Sequence, residues 1–269
     1  MALILVLVCL GITAAGYMLF PGRTNLLVFG VDYVDPAIVG TQARSDTIIL
    51  ATVDPVNSYI GLLSVPRDLW VPIPGFGENR INTAHYFAET QQPGNGPGVL
   101  LETVRQNFGI PVDYFLRMRF EGFRGVVEAM DGVDLELEKP MAGYPTGVHH
   151  LKARKALAFV RDRSGSDDFF RMEQSQVMLK SIIKTMSKPE KWPRIPVVLS
   201  AAMKMVNTNL PAWMWPRMIM SFLWVGPDGI DSRIIDREMV TPFTTDQGAQ
   251  VLLPNWGLIN PLVREMFQR

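Results

Sequence analysis

Two groups of arginines, each beside acidic side chains, are the residues of this chain with the clearest chemical potential. The early group is Arg44-Ser-Asp-Thr47 with Ser64-Val-Pro-Arg-Asp68, and the late group is Arg161-Asp-Arg163 with Asp168 and Arg171. Arginine presents a planar fork of donors that binds phosphate oxygens in pairs. Carboxylates beside such forks orient them or hold a divalent metal. Together the two groups predict one site for a substrate that carries two or more phosphates.

Each arginine–carboxylate pair also has a simpler interpretation. A surface ion pair of this kind contributes under about 1 kcal/mol to stability and needs no function. Several such pairs in a chain with 26 basic and 26 acidic residues, hence no net charge, favour a site over scattered surface pairs. The same neutrality disfavours nucleic acid as a partner.

The predicted elements place these residues at the ends of strands and helices. Apolar runs predict strands over residues 25–31, 47–53 and 59–65, and amphipathic patterns predict helices, the longest over 168–186. The sequence therefore predicts an α/β fold with a central sheet covered by helices. Asp32 ends the first strand, Asp46 precedes the second, and Arg67 with Asp68 follows the third, which is where ligands commonly bind in such folds.

The late group is expected at the start of the long helix. Asp168, Arg171 and Gln174 have i, i+3, i+6 spacing and form one slanted stripe, and the helix N-terminus adds partial positive charge toward an anion. Arg161 and Arg163 have i, i+2 spacing, which places both guanidiniums on one side of an extended backbone.

An uncharged segment, residues 2–20, opens the chain. As a helix it is roughly 30 Å long, enough to cross a bilayer. No cation precedes it, as one would in a cleavable signal peptide, so we expect an uncleaved anchor over 1–22 and one domain over 23–269. The only cysteine, Cys9, lies in this segment, which excludes an intrachain disulfide.

Other conspicuous residues have simpler interpretations. His85, His149 and His150 do not have metal-ligand spacing, and we expect His149-His150 in a solvated turn after Gly147. The stretch 203–224 is rich in methionine and tryptophan, which favours core packing over the alternative of contact with a membrane or lipid.

The order of the motifs resembles the LytR-CpsA-Psr family of membrane-anchored cell-wall enzymes. The segments that carry the resemblance are NLLVFGVD (25–32), RSDT (44–47), LSVPRD (63–68), NRINTA (79–84), FEGF (120–123), GVD (132–134), ALAFVRDR (156–163) and DFFR (168–171). Each is short, and their shared order over residues 25–180 makes the resemblance specific.

The resemblance implies a fold, an activity and a location. The expected fold is an αβα sandwich with a central mixed sheet and an apolar polyprenyl-binding pocket. The expected activity moves a glycopolymer, such as a teichoic acid, from an undecaprenyl-pyrophosphate carrier to peptidoglycan and forms a phosphodiester link. The expected location is the cell membrane, with a single-pass anchor and the catalytic domain outside the cytoplasm.

The resemblance also implies roles for single residues. Asp32 and Asp46 match the carboxylates that bind Mg²⁺. Arg44, Arg67 and Asp68 are the expected catalytic residues, with Asp46 or Asp68 as a candidate base. The residues expected to bind the pyrophosphate are Arg44, Arg67, Arg80, Arg161, Arg163, Arg171 and Gln174, although Gln174 stands where a further arginine is common.

Two alternatives to a transferase are left open by the sequence. A pyrophosphatase would hydrolyse the same lipid, with water in place of the sugar hydroxyl. A non-catalytic module would bind polyprenyl phosphate and regulate, although carboxylates near the phosphates disfavour simple anion binding.

Overall fold

The computed structural model describes residues 22–31, 45–162, 168–226 and 229–268, together with residues 6, 9, 11, 13, 16 and 17. The strands are β1 (Thr24–Val31), β2 (Ser45–Asp54), β3 (Tyr59–Val65), β4 (Trp70–Ile73), β5 (Gly77–Arg80), β6 (Tyr114–Arg119), β7 (Val133–Leu137), β8 (Gly147–Leu151), β9 (Val206–Thr208), β10 (Ile230–Ile234), β11 (Val240–Thr244) and β12 (Gln250–Pro254). The α-helices are α1 (Thr83–Gln91), α2 (Gly96–Phe108), α3 (Phe120–Ala129), α4 (Ala153–Arg161), α5 (Asp168–Ser187), α6 (Ile195–Met205), α7 (Met214–Val225) and α8 (Trp256–Phe267).

A six-stranded mixed sheet forms the centre of the domain, with strand order β10-β3-β2-β1-β6-β9. β2 lies antiparallel to both β1 and β3, whereas β6 pairs parallel to β1 and β10 pairs parallel to β3. Three smaller antiparallel pairs, β4–β5, β7–β8 and β11–β12, surround it. The predicted mixed α/β fold with a central sheet is confirmed.

Both faces of the sheet are covered because the central strands are apolar on both sides. On one face Leu27 and Phe29 of β1 pack in a buried cluster with residues of α2 and α8. On the other face Leu26 of β1 packs with Met214 and Met218 of α7, and side chains of α5 border this cluster. Alternate residues of one strand thus enter different cores, as the period-2 geometry of a strand requires.

The antiparallel register gives the sheet two functionally distinct ends. One end of the sheet contains the last residues of β1 and β3 and the first residues of β2, and we call it the site end. Thr24, at the start of β1, pairs with Val53 at the opposite edge, and Asp54 pairs there with Tyr59. We call this opposite edge the entry end, because the chain enters the domain there.

A β-bulge lies at the site end. Gly30 pairs with Thr47 and Val31 pairs with Ser45, so Asp46 is the extra residue between two paired positions. A bulge of this kind locally re-aims the strand. The bulge therefore lies where β1 ends and β2 begins, at the predicted metal ligand Asp46.

Two local expectations differ from the structure. His149 and His150 belong to β8 rather than to a turn, and His150 Nδ1 lies 2.7 Å from Asp134 Oδ1. The sequence pattern missed this strand because it is short and one side of it is exposed. α4 continues through Arg161, so the extended geometry expected for Arg161 and Arg163 does not begin at Arg161.

The predicted anchor, 1–22, lies mostly outside the described residues. Within the described part of the chain, no helix combines the length and the apolar content needed to cross a bilayer.

Arg217 is the largest fully buried side chain, and it fastens α7 to the entry end. Its Nη1 donates to Thr24 Oγ1 at 3.0 Å, and its Nη2 donates to the Gly22 carbonyl. Burial lowers the pKa of Arg217 from its usual value, while the charges of Tyr17 and Asp54 oppose that shift. A buried guanidinium needs such partners because an unsatisfied polar group in a core is costly.

Replacing this arginine should destabilise the domain. We expect Arg217→Leu to lower the free energy of unfolding by about 3 kcal/mol, because the Gly22 carbonyl and the Thr24 hydroxyl lose a donor and a void remains. Arg154→Leu, at an exposed position of α4, is the matched control and should change it by less than about 0.5 kcal/mol. Chemical denaturation of both variants measures the difference, and equal effects would contradict the role of Arg217.

Candidate functional site

Arginines and carboxylates alternate across the site end in one continuous row. Arg80 Nε lies 3.2 Å from Asp68 Oδ1, and Asp68 Oδ2 lies 3.7 Å from Arg67 Nε. The same Arg67 Nε lies 2.8 Å from Asp168 Oδ2, and Asp168 Oδ1 pairs with Arg171 Nη2. Arg67 of the early group therefore lies beside Asp168 and Arg171 of the late group. Three arginines face two carboxylates, which leaves one positive charge in excess.

The backbone around Arg67 is held by a hydrogen bond within its own turn and by two other segments of the chain. Leu69 N donates to the Pro66 carbonyl at 3.2 Å, which closes the turn that follows β3. The Arg67 carbonyl accepts from Asn82 N at 3.2 Å, and the Asp68 carbonyl accepts from Leu252 N at 3.0 Å. A turn with these bonds has few alternative conformations, so the side chains of Arg67 and Asp68 project from a fixed position.

The other half of the row depends on how α5 sits against the sheet. Gln176, which is buried, donates to Ser64 Oγ at 3.0 Å and to the Arg233 carbonyl at 2.5 Å. One side chain thus fastens α5 to both β3 and β10. Phe169 lies in the first turn of α5, and the Arg237 guanidinium lies over its ring, 5.3 Å from the ring centroid. These contacts set the position of Asp168 and Arg171 relative to Arg67.

A small cavity of about 20 Å³ lies within the row. It is lined by Thr47, Arg67, Asp168, Arg171, Met172 and Ser175. A space of this size holds about one water molecule. The side chains of Arg67 and Arg171 are 26% and 29% exposed, so both are partly accessible to solvent. In this structure the Asp168 carboxylate is the anion that lies between these two guanidiniums.

A wider groove of about 670 Å³ lies between the β4–β5 hairpin, α2, β11–β12 and α8. Its lining combines aromatic rings with amides and a carboxylate: Trp70, Phe243, Trp256, Gln106, Asn107, Asn260 and Glu78, with Pro72, Leu253 and Pro254. The groove and the arginine row share β5, which carries Glu78 of the groove and ends at Arg80 of the row.

Four predicted site residues fall outside the description in whole or in part. Asp32, Arg44 and Arg163 are not described, and for Asp46 only the backbone is. Among the described residues no group of three or more His, Cys, Asp or Glu side chains forms a metal cluster. The bulge at Asp46, directly beside the last described residue of β1, is the observation that bears on a metal here. Asp46 is the extra residue of the bulge and Asp32 follows Val31 in the sequence, and carboxylates of this kind would supply the oxygen ligands that Mg²⁺ prefers.

Two further predicted residues are described but do not join the row formed by Arg80, Asp68, Arg67, Asp168 and Arg171. Arg161 is exposed at the end of α4. Gln174 is fully buried, and its Nε2 donates to the Phe159 carbonyl at 3.0 Å. Gln174 therefore faces α4 rather than the row, because the i+6 position has rotated it away from Asp168 on the helix. Its Oε1 has no hydrogen-bond partner among the described residues.

Sequence reasoning missed several contributors. Thr47 was noted only as part of a motif, yet it lines the cavity, and Ser175 and Met172 do so from α5. Gln176 gave no signal, since a glutamine on a helix is ordinarily a surface residue. Its position two residues after Gln174 on the long helix predicts only that the two face different neighbours.

The comparison with known protein families decides the assignment. Residues 20–251 match the LytR_cpsA_psr family model. The chain belongs to this family. The match includes both halves of the arginine row and the central sheet that carries them.

Individual relatives agree with the family assignment. The chain is 29% identical over 198 residues to the regulatory protein MsrR of Staphylococcus aureus, covering 71% of this chain and 57% of MsrR. It is 30% identical over 193 residues to TagU of Bacillus cereus, named a polyisoprenyl-teichoic acid–peptidoglycan teichoic acid transferase, covering 69% and 60%. The chain thus spans roughly three-fifths of the length of these relatives.

Solved structures show the same fold. TagV of Bacillus subtilis superposes with a TM-score of 0.72 at 24% identity, covering 91% of this chain and 98% of TagV. TagT bound to LIIa-WTA superposes with a TM-score of 0.72 at 21% identity, covering 91% and 90%.

Gln176 provides a test of how the site is held together. We expect Gln176→Leu, which keeps the size but removes both donated hydrogen bonds, to lower the free energy of unfolding by about 1–3 kcal/mol, because the Arg233 carbonyl loses a donor in the interior. Gln106→Leu, at an exposed position of α2, is the control and should change the free energy of unfolding little. Thermal unfolding of both variants measures the change in stability. If Gln176→Leu is as stable as the unmodified protein, other contacts fix α5 to the sheet.

Proposed function

We propose that this protein transfers a glycopolymer from an undecaprenyl-pyrophosphate carrier to peptidoglycan and forms a phosphodiester link. The observation that carries the proposal is the meeting of Arg67, Arg80 and Arg171 from three distant segments at one edge of the sheet. The names of relatives such as TagU support the reaction class. The function is an enzymatic transfer rather than a structural role, since a purely structural protein needs no such converging cations.

The donor pyrophosphate is proposed to take the place of the Asp168 carboxylate between Arg67 and Arg171. Both guanidiniums already point at an oxyanion there, and phosphate offers the same bidentate geometry with more charge. Arg80 extends the positive row on the far side of Asp68. Arg44, Arg161 and Arg163 remain proposed members of the same clamp.

Asp32 and Asp46 are the proposed ligands of Mg²⁺, whose bound charge would help neutralise the pyrophosphate oxygens. The arginines would stabilise the negative charge that develops on the leaving lipid phosphate, which is the main requirement of phosphoryl transfer. Asp68 is the proposed base for the acceptor hydroxyl, with Asp46 as the alternative. Arg80 orients the Asp68 carboxylate at 3.2 Å.

The polyprenyl chain needs an apolar environment that begins at the arginine row. We propose that it lies between the sheet and the layer of α5 and α7. α5 starts at Asp168 in the row, and its Leu179 and Ile183 border the apolar cluster on that face. A tail bound there would follow α5 away from its pyrophosphate.

The groove beside the row suits a glycan acceptor. Aromatic faces such as Trp70 and Trp256, with amides such as Asn260, offer stacking surfaces and hydrogen bonds to sugar rings. We propose that peptidoglycan approaches through this groove. Residues 1–22 are proposed to anchor the protein in the cell membrane, with the domain outside the cytoplasm and near both substrates.

Arg67 should be indispensable for transfer. We expect Arg67→Ala to lower kcat by about 10²–10³-fold, the usual loss when one preorganised donor to transition-state charge is removed. Arg67→Lys should recover little, because an ammonium lacks the fork that spans two oxygens. Arg124→Ala, an exposed position on α3 paired only loosely with Glu128, is the matched control and should retain activity.

The measurement is transfer of a labelled oligosaccharide from an isoprenyl pyrophosphate to peptidoglycan by the full chain in detergent. If Arg67→Ala were as active in transfer as Arg124→Ala, the assignment of Arg67 would be refuted.

The two alternatives differ from transfer in a single assay. Incubating the lipid-linked donor with Mg²⁺ and without peptidoglycan should give no turnover if the acceptor is obligatory. Release of free polymer at the rate seen with acceptor would establish a hydrolase. Tight donor binding with no turnover under either condition would establish a binding or regulatory module.

A further inference from the structure

α7 has the reverse of the usual distribution of polar and apolar residues. Its only charged side chain, Arg217, is fully buried and its guanidinium lies at the entry end of the sheet. Large apolar residues close to Arg217 on the helix surface are exposed: Met220, at i+3, is 51% exposed, Trp224, at i+7, is 78% exposed, and Trp213, just before the helix at i−4, is 49% exposed. Soluble proteins seldom leave several such side chains exposed together on one helix. We call Trp213, Met220 and Trp224 the outer face of α7.

Four hydrogen bonds place α7 along the entry end of the sheet. The Tyr17 hydroxyl donates to the Trp213 carbonyl, and Arg217 donates to Gly22 and Thr24. At the other end of the helix, Trp224 Nε1 donates to Ser58 Oγ at 3.1 Å. α7 therefore extends from the segment that precedes β1 to the turn between β2 and β3.

That turn adds to the exposed apolar surface. Val56, at its tip, is 60% exposed. Asp54, the acidic residue of the turn, is not available to solvent, because its Oδ2 accepts from Arg23 Nη2 at 2.8 Å and its side chain is 5% exposed. Burial raises the pKa of Asp54, but hydrogen bonds from Asn57 and Arg23 outweigh this and hold it below the usual value. The carboxylate therefore stays paired and does not place a free negative charge beside the outer face.

We propose that the outer face of α7, together with the β2–β3 turn, rests on the surface of a lipid bilayer. Tryptophan is enriched at the membrane–water interface because its ring is apolar and its N–H is polar. A helix with apolar residues on one side and no outward charge lies readily in that interface. The proposal rests on the anchor assigned under the proposed function.

The position of the uncharged segment favours a bilayer over a second copy of the chain. Residues 2–20 precede Gly22, whose carbonyl accepts from Arg217 in the middle of α7. If that segment crosses the membrane, α7 lies within about one helix diameter, roughly 10 Å, of the place where the chain leaves the bilayer. An apolar helix face at that height is in contact with lipid headgroups.

Docking of this kind fixes the height of the catalytic site. β3 runs from Tyr59 at the entry end to Val65 at the site end, and its 7 residues span about 23 Å. The arginine row therefore lies more than about 20 Å above the membrane surface. A lipid-linked pyrophosphate reaches it only when part of its chain leaves the bilayer, which agrees with an apolar path along α5.

The test uses environment-sensitive labels on the full chain in proteoliposomes. Cys9→Ser removes the only native thiol, and Met220→Cys or Leu258→Cys adds one label site. Leu258 lies in the first turn of α8 and is 48% exposed, so it matches Met220 in exposure but lies in the layer on the other face of the sheet. Each is labelled with the fluorophore NBD, and quenching by lipids with a spin label near the headgroup is measured.

The label at 220 should emit at shorter wavelength and be quenched at least threefold more strongly than the label at 258. Equal quenching at both positions would overturn the proposal. Emission at 220 that depends on the protein-to-lipid ratio, without quenching by the spin-labelled lipid, would show a contact between copies and would also overturn it.

Alkaline extraction of the same vesicles tests the anchor separately. Protein that stays with the membrane while position 220 is unquenched contradicts docking and leaves the anchor intact. Protein that is extracted by alkali but was quenched at 220 beforehand contradicts the anchor and supports docking.

Discussion

The Asp168 carboxylate, shared between Arg67 and Arg171, is the interaction on which the site depends. Arg67 follows a strand of the first third of the chain, while Asp168 and Arg171 begin a helix more than a hundred residues later. Two guanidiniums that contact the same carboxylate would repel one another without that anion between them. Asp168 supplies that anion in this structure, and the proposed donor phosphate would bind by replacing an interaction for which the arginines are already arranged.

The central sheet separates the arginine row from the entry end, where we propose that the domain meets the membrane. Antiparallel pairing of β1, β2 and β3 gathers the arginine row at one edge and the entry of the chain at the other. Gln176 ties α5 to the site end, and Arg217 ties α7 to the entry end. Both are buried polar side chains that donate to backbone carbonyls. Each fixes one helix to the sheet, Gln176 at β3 and β10 and Arg217 at the start of β1.

Sequence patterns predicted the elements whose periodicity is strong. The three apolar strands and α5 were found because their residues are buried on both faces or along one stripe, and of the two arginine groups Arg67 lies beside Asp168 and Arg171 as expected. Gln174 was placed in the clamp because spacing alone does not show how far a helix has rotated. The small pairs β4–β5 and β11–β12 and the role of Arg217 depend on contacts between distant segments, which local patterns do not contain. The tryptophans of 203–224 divided between core and surface, so neither simple interpretation of that stretch was complete.

A crystal structure of the protein with a bound isoprenyl pyrophosphate tests the central claim most directly. Replacement of the Asp168 carboxylate by phosphate oxygens between Arg67 and Arg171 is the predicted result, with both guanidiniums released from Asp168 and turned toward the ligand. A pyrophosphate bound elsewhere on the domain, with the Arg67–Asp168 and Arg171–Asp168 pairs intact, would contradict the account.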